Sequence, residues 1–156
     1  FDATTDRTLM AGAYLVACGA VPEAIIKPMY RMKPLAKARL WGLTLQTVQS
    51  RAEGRIVWAT LLREHLAEVG ASADMDDGLP SYLMDIDGVA LAALFREDAD
   101  GTTRVSLRAA SPYNAAVLCA TFGGGGHIRA AGCTLRMDIT QAQATFIPAL
   151  EAALDG

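Results

Sequence analysis

Histidine and cysteine are scarce in this chain, with two of the first and three of the second among 156 residues. His65 and His127 lie far apart. Cys18, Cys119 and Cys133 form no C-x-x-C pair, which argues against a zinc site. An odd number of unspaced thiols also gives no disulfide framework, and the reading is of reduced, buried cysteines in a cytoplasmic protein. Aromatic residues make up only 6%, no basic run occurs, and the formal charge is −3. A protein that coats or tracks a long nucleic acid is usually basic and offers stacking rings. That class is disfavoured, although one local basic pocket is not. Apolar runs such as Val89 to Phe95 are far shorter than the ~20 residues a membrane helix needs, so no membrane is expected. The opening "FDATTDRT" is neither a signal nor a transit peptide, and it lacks an initiating Met. The chain is therefore expected to be a fragment or a processed product. Nothing repeats and nothing is low-complexity.

What is present is an apolar share of 52% with 20% charged residues, enough for one good core. The first third reads as helix. "TTDRTLMAGAYLVACGA" opens with capping threonines and closes at Gly19. "VPEAIIKPMYRM" is a shorter helix that Pro28 must shorten or kink. "KPLAKARLWGLTLQTVQ" is a third. From Arg55 the pattern changes. "RIVWATLL" is a strand, "REHLAEVGA" a short helix or turn, and Asp76 or Asp77 can cap a helix ending near Met84. "VALAALFRE" and "TTRVSLRA", joined by "DADG", form an antiparallel hairpin. "SPYNAAVLCATF" is a helix capped by Ser111 or Asn114, "CTLRMDI" a strand, and "TQAQATFIPALEAAL" a closing helix capped by Thr140. The expected fold is α/β: a mixed sheet of about four to five strands flanked by helices, after a helical linker. The expected boundaries are 1–52 for the linker and end of a preceding lobe, and 53–156 for the α/β domain.

Two features carry chemistry. Gly123, Gly124, Gly125 and Gly126 run into His127, and Ala130, Ala131 and Gly132 follow. Consecutive glycines expose backbone N–H groups that can converge on an anion, with a helix N-terminus adding to the effect where one lies nearby. His127 can donate to the same guest and change protonation near neutral pH. A glycine run is also what a loose loop looks like, but small apolar residues, rather than Ser and Asp, continue past this one. In "TRVSLRA" the strand period puts Arg104, Ser106 and Arg108 on one face. That face is either a solvated edge or a basic wall facing the glycines. Arg108, at the strand's end, is the stronger candidate for gripping a phosphate with its guanidinium fork.

These same residues, in "VSLRA…YNAAVLCATFGGGGHIRAAGCTL", resemble the C-terminal DHH-associated domain of the DHH phosphoesterase superfamily. The nano-RNase/pAp-phosphatase branch is the most similar. The helical segments "TTDRTLMAGAYLVACGA" and "MYRMKPLAKARLWG" resemble that family's linker. The resemblance implies a two-lobed phosphodiesterase. A manganese-holding N-terminal lobe faces a C-terminal lobe that binds the phosphate or nucleotide end of short 5′-phosphorylated oligoribonucleotides, pAp or dinucleotides. Arg108 then matches the Ser-Leu-Arg arginine, Ser106 stands two residues before it, and Gly123 to His127 match the glycine–histidine loop. Ala130, Ala131 and Gly132 match the loop's continuation. His127 would sit beside the scissile phosphate. No Asp-His-His string occurs in this chain, so it supplies no metal ligands, the manganese would belong to the other lobe, and the chain alone is expected to be inactive. The partners implied are short oligonucleotides or nucleotide phosphates and the N-terminal lobe, with a homodimer left open. Three rivals share parts of the pattern: a RecJ-like single-strand exonuclease lobe, a cyclic-dinucleotide phosphodiesterase lobe, and the tRNA-binding terminal domain of alanyl-tRNA synthetase.

Overall fold

The computed structural model describes residues 4–155, and the chain divides into two compact units, 1–34 and 35–156. The first unit is helical. Helix α1 (Asp6–Ala17) starts at Thr5, which exchanges hydrogen bonds with Thr8 in a capping box. Helix α2 (Pro22–Ile26) widens into a single π turn over Lys27–Arg31, where Pro28 withholds its N–H from an α-helical ladder. Neither helix buries a residue, and Cys18 is exposed rather than buried. Among the described residues no single helix is long and apolar enough to cross a membrane. α1 and the Pro22–Arg31 segment reach that length only together, across a bend of 112°.

The second unit is a six-stranded mixed sheet in the order β1-β2-β3-β4-β6-β5. Its strands are β1 (Gln49–Arg51), β2 (Ile56–Leu61), β3 (Leu91–Glu97), β4 (Thr103–Ala109), β5 (Gly125–His127) and β6 (Ala130–Leu135). β2 and β3 are parallel and every other pair is antiparallel. The helices are α3 (Leu35–Gln46), α4 (Arg63–Val69), α5 (Leu79–Met84), α6 (Ala115–Ala120) and α7 (Ile139–Asp155). The two strands beyond the four read in the sequence are three-residue edges. Gln-Ser-Arg and Gly-Gly-His carry no strand-forming pattern and are recruited by backbone pairing alone. β6 also begins at Ala130 rather than at Cys133, because Ala130, Ala131 and Gly132 pair with β4 on one side and β5 on the other.

Hydrophobic patterning explains which parts of the sheet are covered. "IVWATL" and "LAALF" are apolar almost throughout, and β2 and β3 are buried on both faces. On one face Ile56, Trp58, Leu91, Phe95, Val105 and Leu107 pack with Phe146 and Leu150 of α7 and Cys119 of α6. Phe95 meets Phe146 edge to face at 5.9 Å. On the other face Val57, Ala59, Leu61, Ala92 and Leu94 pack with Leu40 of α3 and Leu79 and Leu83 of α5. β4 and β6 alternate instead. Val105, Leu107, Ala131 and Cys133 belong to the first core, while their alternate residues contribute nothing to the second. Half of one sheet face is thus left without an apolar cover.

Two expected caps are displaced. α5 starts at Gly78, whose φ of +88° suits glycine, and a Cβ there would press on Trp41 at 3.3 Å. Asp76 instead pairs with Arg96. α7 is capped by Asp138, which accepts from the Gln141 N–H at 2.9 Å, not by Thr140. Asn114 caps α6, accepting from Ala116 and Val117.

Candidate functional site

The uncovered half-face is where the sequence candidates meet. β4 turns Arg104, Ser106 and Arg108 toward it, in register with Thr134, Gly132 and Ala130 of β6. One cavity of about 700 Å³ is lined by these six residues together with Gly123, Gly124, Gly125, Gly126, Ala131 and Cys133. Across strands β5, β6 and β4, the row Gly125–Gly132–Ser106 carries almost no side chain. It forms a shallow trough flanked by the two guanidinium groups.

Each glycine of the run has its own role. Gly123 has φ +74°. Its N–H donates to the Ala120 carbonyl, and the Gly124 N–H donates to the Cys119 carbonyl. These two bonds close the C-terminus of α6 as a Schellman motif. Both N–H groups are therefore spent within the fold, and the helix end beside the run is a C-terminus; an anion nest built from all four N–H groups is not formed. A Cβ on Gly124 would lie 2.2 Å from the Gly132 oxygen and 2.5 Å from the Cys133 Cβ. Gly126, at φ +146°, would place one 2.6 Å from the Ala130 oxygen. Gly125 is different: its φ is ordinary, and a Cβ would meet nothing within 4 Å. It faces open space in the cleft. The hairpin is also clamped along α6, since the Ala115 N–H donates to the Ile128 carbonyl at 2.9 Å.

The electrostatics are uneven. Arg96 is mostly buried and pairs with Asp76 at 2.9 Å and Asp98 at 3.0 Å. Arg104 and Arg108, on the same face, pair with no carboxylate among the described residues. Arg108 is held in place by donating Nη1 to the Leu107 carbonyl at 3.1 Å and Nε to the Ser81 hydroxyl at 3.4 Å. The rest of its fork faces the cleft. An exposed Arg104 and a half-buried Arg108, neither in an ion pair among the described residues, stand beside a side-chain-poor trough and suit an anion with several acceptor oxygens.

His127 stands apart from the cleft lining. Its register row continues through Ala130 to Arg108, about 10 Å away across two strand spacings, and it is exposed on the edge strand. His65 serves its own helix, accepting the Leu62 N–H at Nδ1. Cys119 and Cys133 are buried neighbours; the Cys133 sulfur and the apolar surroundings push the Cys119 thiol far up, so it stays protonated and non-nucleophilic. Among the described residues no three His, Cys, Asp or Glu side chains gather as a metal site, so the manganese that the resemblance implies finds no ligand set here. Sequence reasoning placed Arg104 on the correct face but ranked it below Arg108; the structure gives both the same cleft. Ser81 was missed because it reaches Arg108 from α5, with no local signal.

The family model for the DHHA1 domain matches residues 53–155. The chain belongs to the DHHA1 domain family. It is 33% identical over 158 residues to a bifunctional oligoribonuclease and PAP phosphatase, NrnA, from Thermus thermophilus, covering 99% of this chain and 46% of that protein. Among solved structures, an exopolyphosphatase-related protein from Bacteroides fragilis superposes with a TM-score of 0.90 at 22% identity, over 97% of this chain and 45% of the other. A pGpG-specific phosphodiesterase, PggH, from Vibrio cholerae superposes with a TM-score of 0.55 at 15% identity, over 97% of this chain and 52% of the other. The DHHA1 chain spans about half the length of these relatives.

Proposed function

We propose that this DHHA1 chain is the substrate-recognition part of a phosphodiesterase that acts on short 5′-phosphorylated oligoribonucleotides and on pAp. The observation that carries this reading is the pair Arg104 and Arg108, in no ion pair among the described residues, flanking the Gly125–Gly132–Ser106 trough in one cleft. The similarity to an oligoribonuclease and PAP phosphatase supports the substrate class. In this reading the cleft orients a terminal phosphate and balances its charge. Bond cleavage belongs to a separate manganese-bearing lobe. A strip of two unpaired arginines suits one or two phosphates, whereas a RecJ-like or tRNA-binding lobe needs a longer basic track.

Titration calorimetry with pAp and pApA tests this. Arg108→Ala removes a charge-assisted grip of about 1.5–3 kcal/mol, a loss of roughly tenfold to hundredfold in affinity. Arg104→Ala acts in the same direction. His127→Ala leaves affinity nearly unchanged, because the side chain does not line the cleft, and acts on turnover once the catalytic lobe is present. If both arginine variants bind like the parent, the cleft is not the phosphate site.

A further inference from the structure

The basic strip on β4 ends abruptly. A second cavity of about 470 Å³ shares Arg104, Ser106 and Arg108 with the first and runs on to the turn after α4. Its far wall carries Asp74, Asp76 and Asp77. Arg96 fixes that wall: Nη1 donates to the Asp76 carboxylate at 2.9 Å and to the Ala73 carbonyl at 3.4 Å, and the same guanidinium holds Asp98. Trp41 pins the turn from below by donating Nε1 to the Met75 carbonyl at 3.1 Å. Asp76 is neutralised by its partner. Asp74 and Asp77 are exposed and form no ion pair among the described residues. The Ser72 hydroxyl bonded to Asp74 holds its carboxyl below the usual range, so it stays anionic.

Positive charge is thus unopposed at Arg108 and Arg104, cancelled at Arg96, and reversed at the turn. A polyanion seated on the first two residues and extended along the shared cavity meets two uncompensated carboxylates. We propose that the Asp74–Asp77 turn is a charge stop that limits the length of strand the cleft accepts, admitting one or two phosphates and repelling further ones. This rests on the phosphate-binding reading of the cleft. Fixed like charges raise specificity by penalising the wrong ligand rather than by gripping the right one.

The test compares a 5′-phosphorylated diadenylate with a 5′-phosphorylated pentaadenylate, by titration at low salt, on the parent, Asp77→Asn and Asp74→Asn/Asp77→Asn. Both side chains are exposed, and Asp77→Asn sacrifices no side-chain hydrogen bond, so folding is retained in at least that variant. Two surface charges removed within a Debye length of a bound strand are expected to raise pentaadenylate affinity roughly threefold to tenfold in the double variant. Diadenylate affinity is expected to change by less than about twofold, and the difference to shrink at high salt. An unchanged pentaadenylate affinity overturns the charge stop, as does an equal gain for both ligands. Arg108→Ala separates the two readings. If it weakens diadenylate binding while the Asn variants change nothing, only the charge stop falls; if it weakens nothing, the cleft reading falls with it.

Discussion

Four adjacent glycines look alike in the sequence and differ completely in what demands them. Gly123 needs its positive φ to end α6, and Gly124 and Gly126 need the absence of a side chain to lie against β6. Gly125 alone has neither requirement, yet it forms the floor of the cleft beside Gly132 and Ser106. On the proposed phosphate-binding reading, its small size leaves that floor open to a ligand. Gly124→Ala forces a methyl into the Gly132 carbonyl and the Cys133 side chain. It is expected to destabilise the domain by at least the about 1–3 kcal/mol typical of overpacking, visible as a lower midpoint in urea. Gly125→Ala is expected to leave that midpoint unchanged and to weaken pAp binding severalfold, because a methyl would occupy ligand space. A Gly125→Ala protein that binds normally would show that no ligand reaches the trough floor. A destabilised one would show that the hairpin is packed more tightly there than its geometry indicates.

Helix ends and strand faces show how much of the fold can be read before it is seen. The strands β2, β3 and β4 and the hairpin between the last two follow from branched residues, alternation and a turn signal. The choice of β4 face, with Arg104, Ser106 and Arg108 together, follows from the period of two. What escapes is whatever depends on partners distant in sequence. Asp76 has the chemistry of a cap but is taken by Arg96, twenty residues on, leaving Gly78 to start α5. β5 has no side-chain pattern and exists because β6 is beside it. Asp138 and Thr140 both qualify as caps for α7, and only the backbone path selects the first. That selection makes a clean comparison. Asp138→Ala is expected to cost about 1 kcal/mol, the usual value of a lost N-cap, whereas Thr140→Ala is expected to cost only a few tenths. Paired urea titrations distinguish them, and equal costs would mean that the cap is shared.

The compact unit that holds the cleft starts at Leu35, while the DHHA1 family match starts at residue 53. The eighteen residues between include α3 and β1, and their contacts indicate that the unit cannot spare them. Leu40 is fully buried against Val57, Ala59, Leu79 and Leu83, with Trp41 and Leu45 beside it. The Thr47 hydroxyl accepts from the Thr60 N–H at 2.7 Å, and β1 covers the edge of β2. Losing one buried leucine side chain costs about 2–5 kcal/mol, out of a total stability of about 5–15 kcal/mol for a typical domain. A chain shortened to residues 35–156 is therefore expected to unfold in one cooperative transition, and to keep its affinity for pAp. A chain shortened to 53–156 is expected to lose that transition, to bind an apolar dye, and to lose the Trp41 hydrogen bond that pins the acidic turn. Thermal scans and dye fluorescence on the two truncations read this directly. Should 53–156 melt cooperatively near the temperature of 35–156, α3 is an accessory to the sheet rather than part of its core. The second hydrophobic cluster would then be held by α4 and α5 alone.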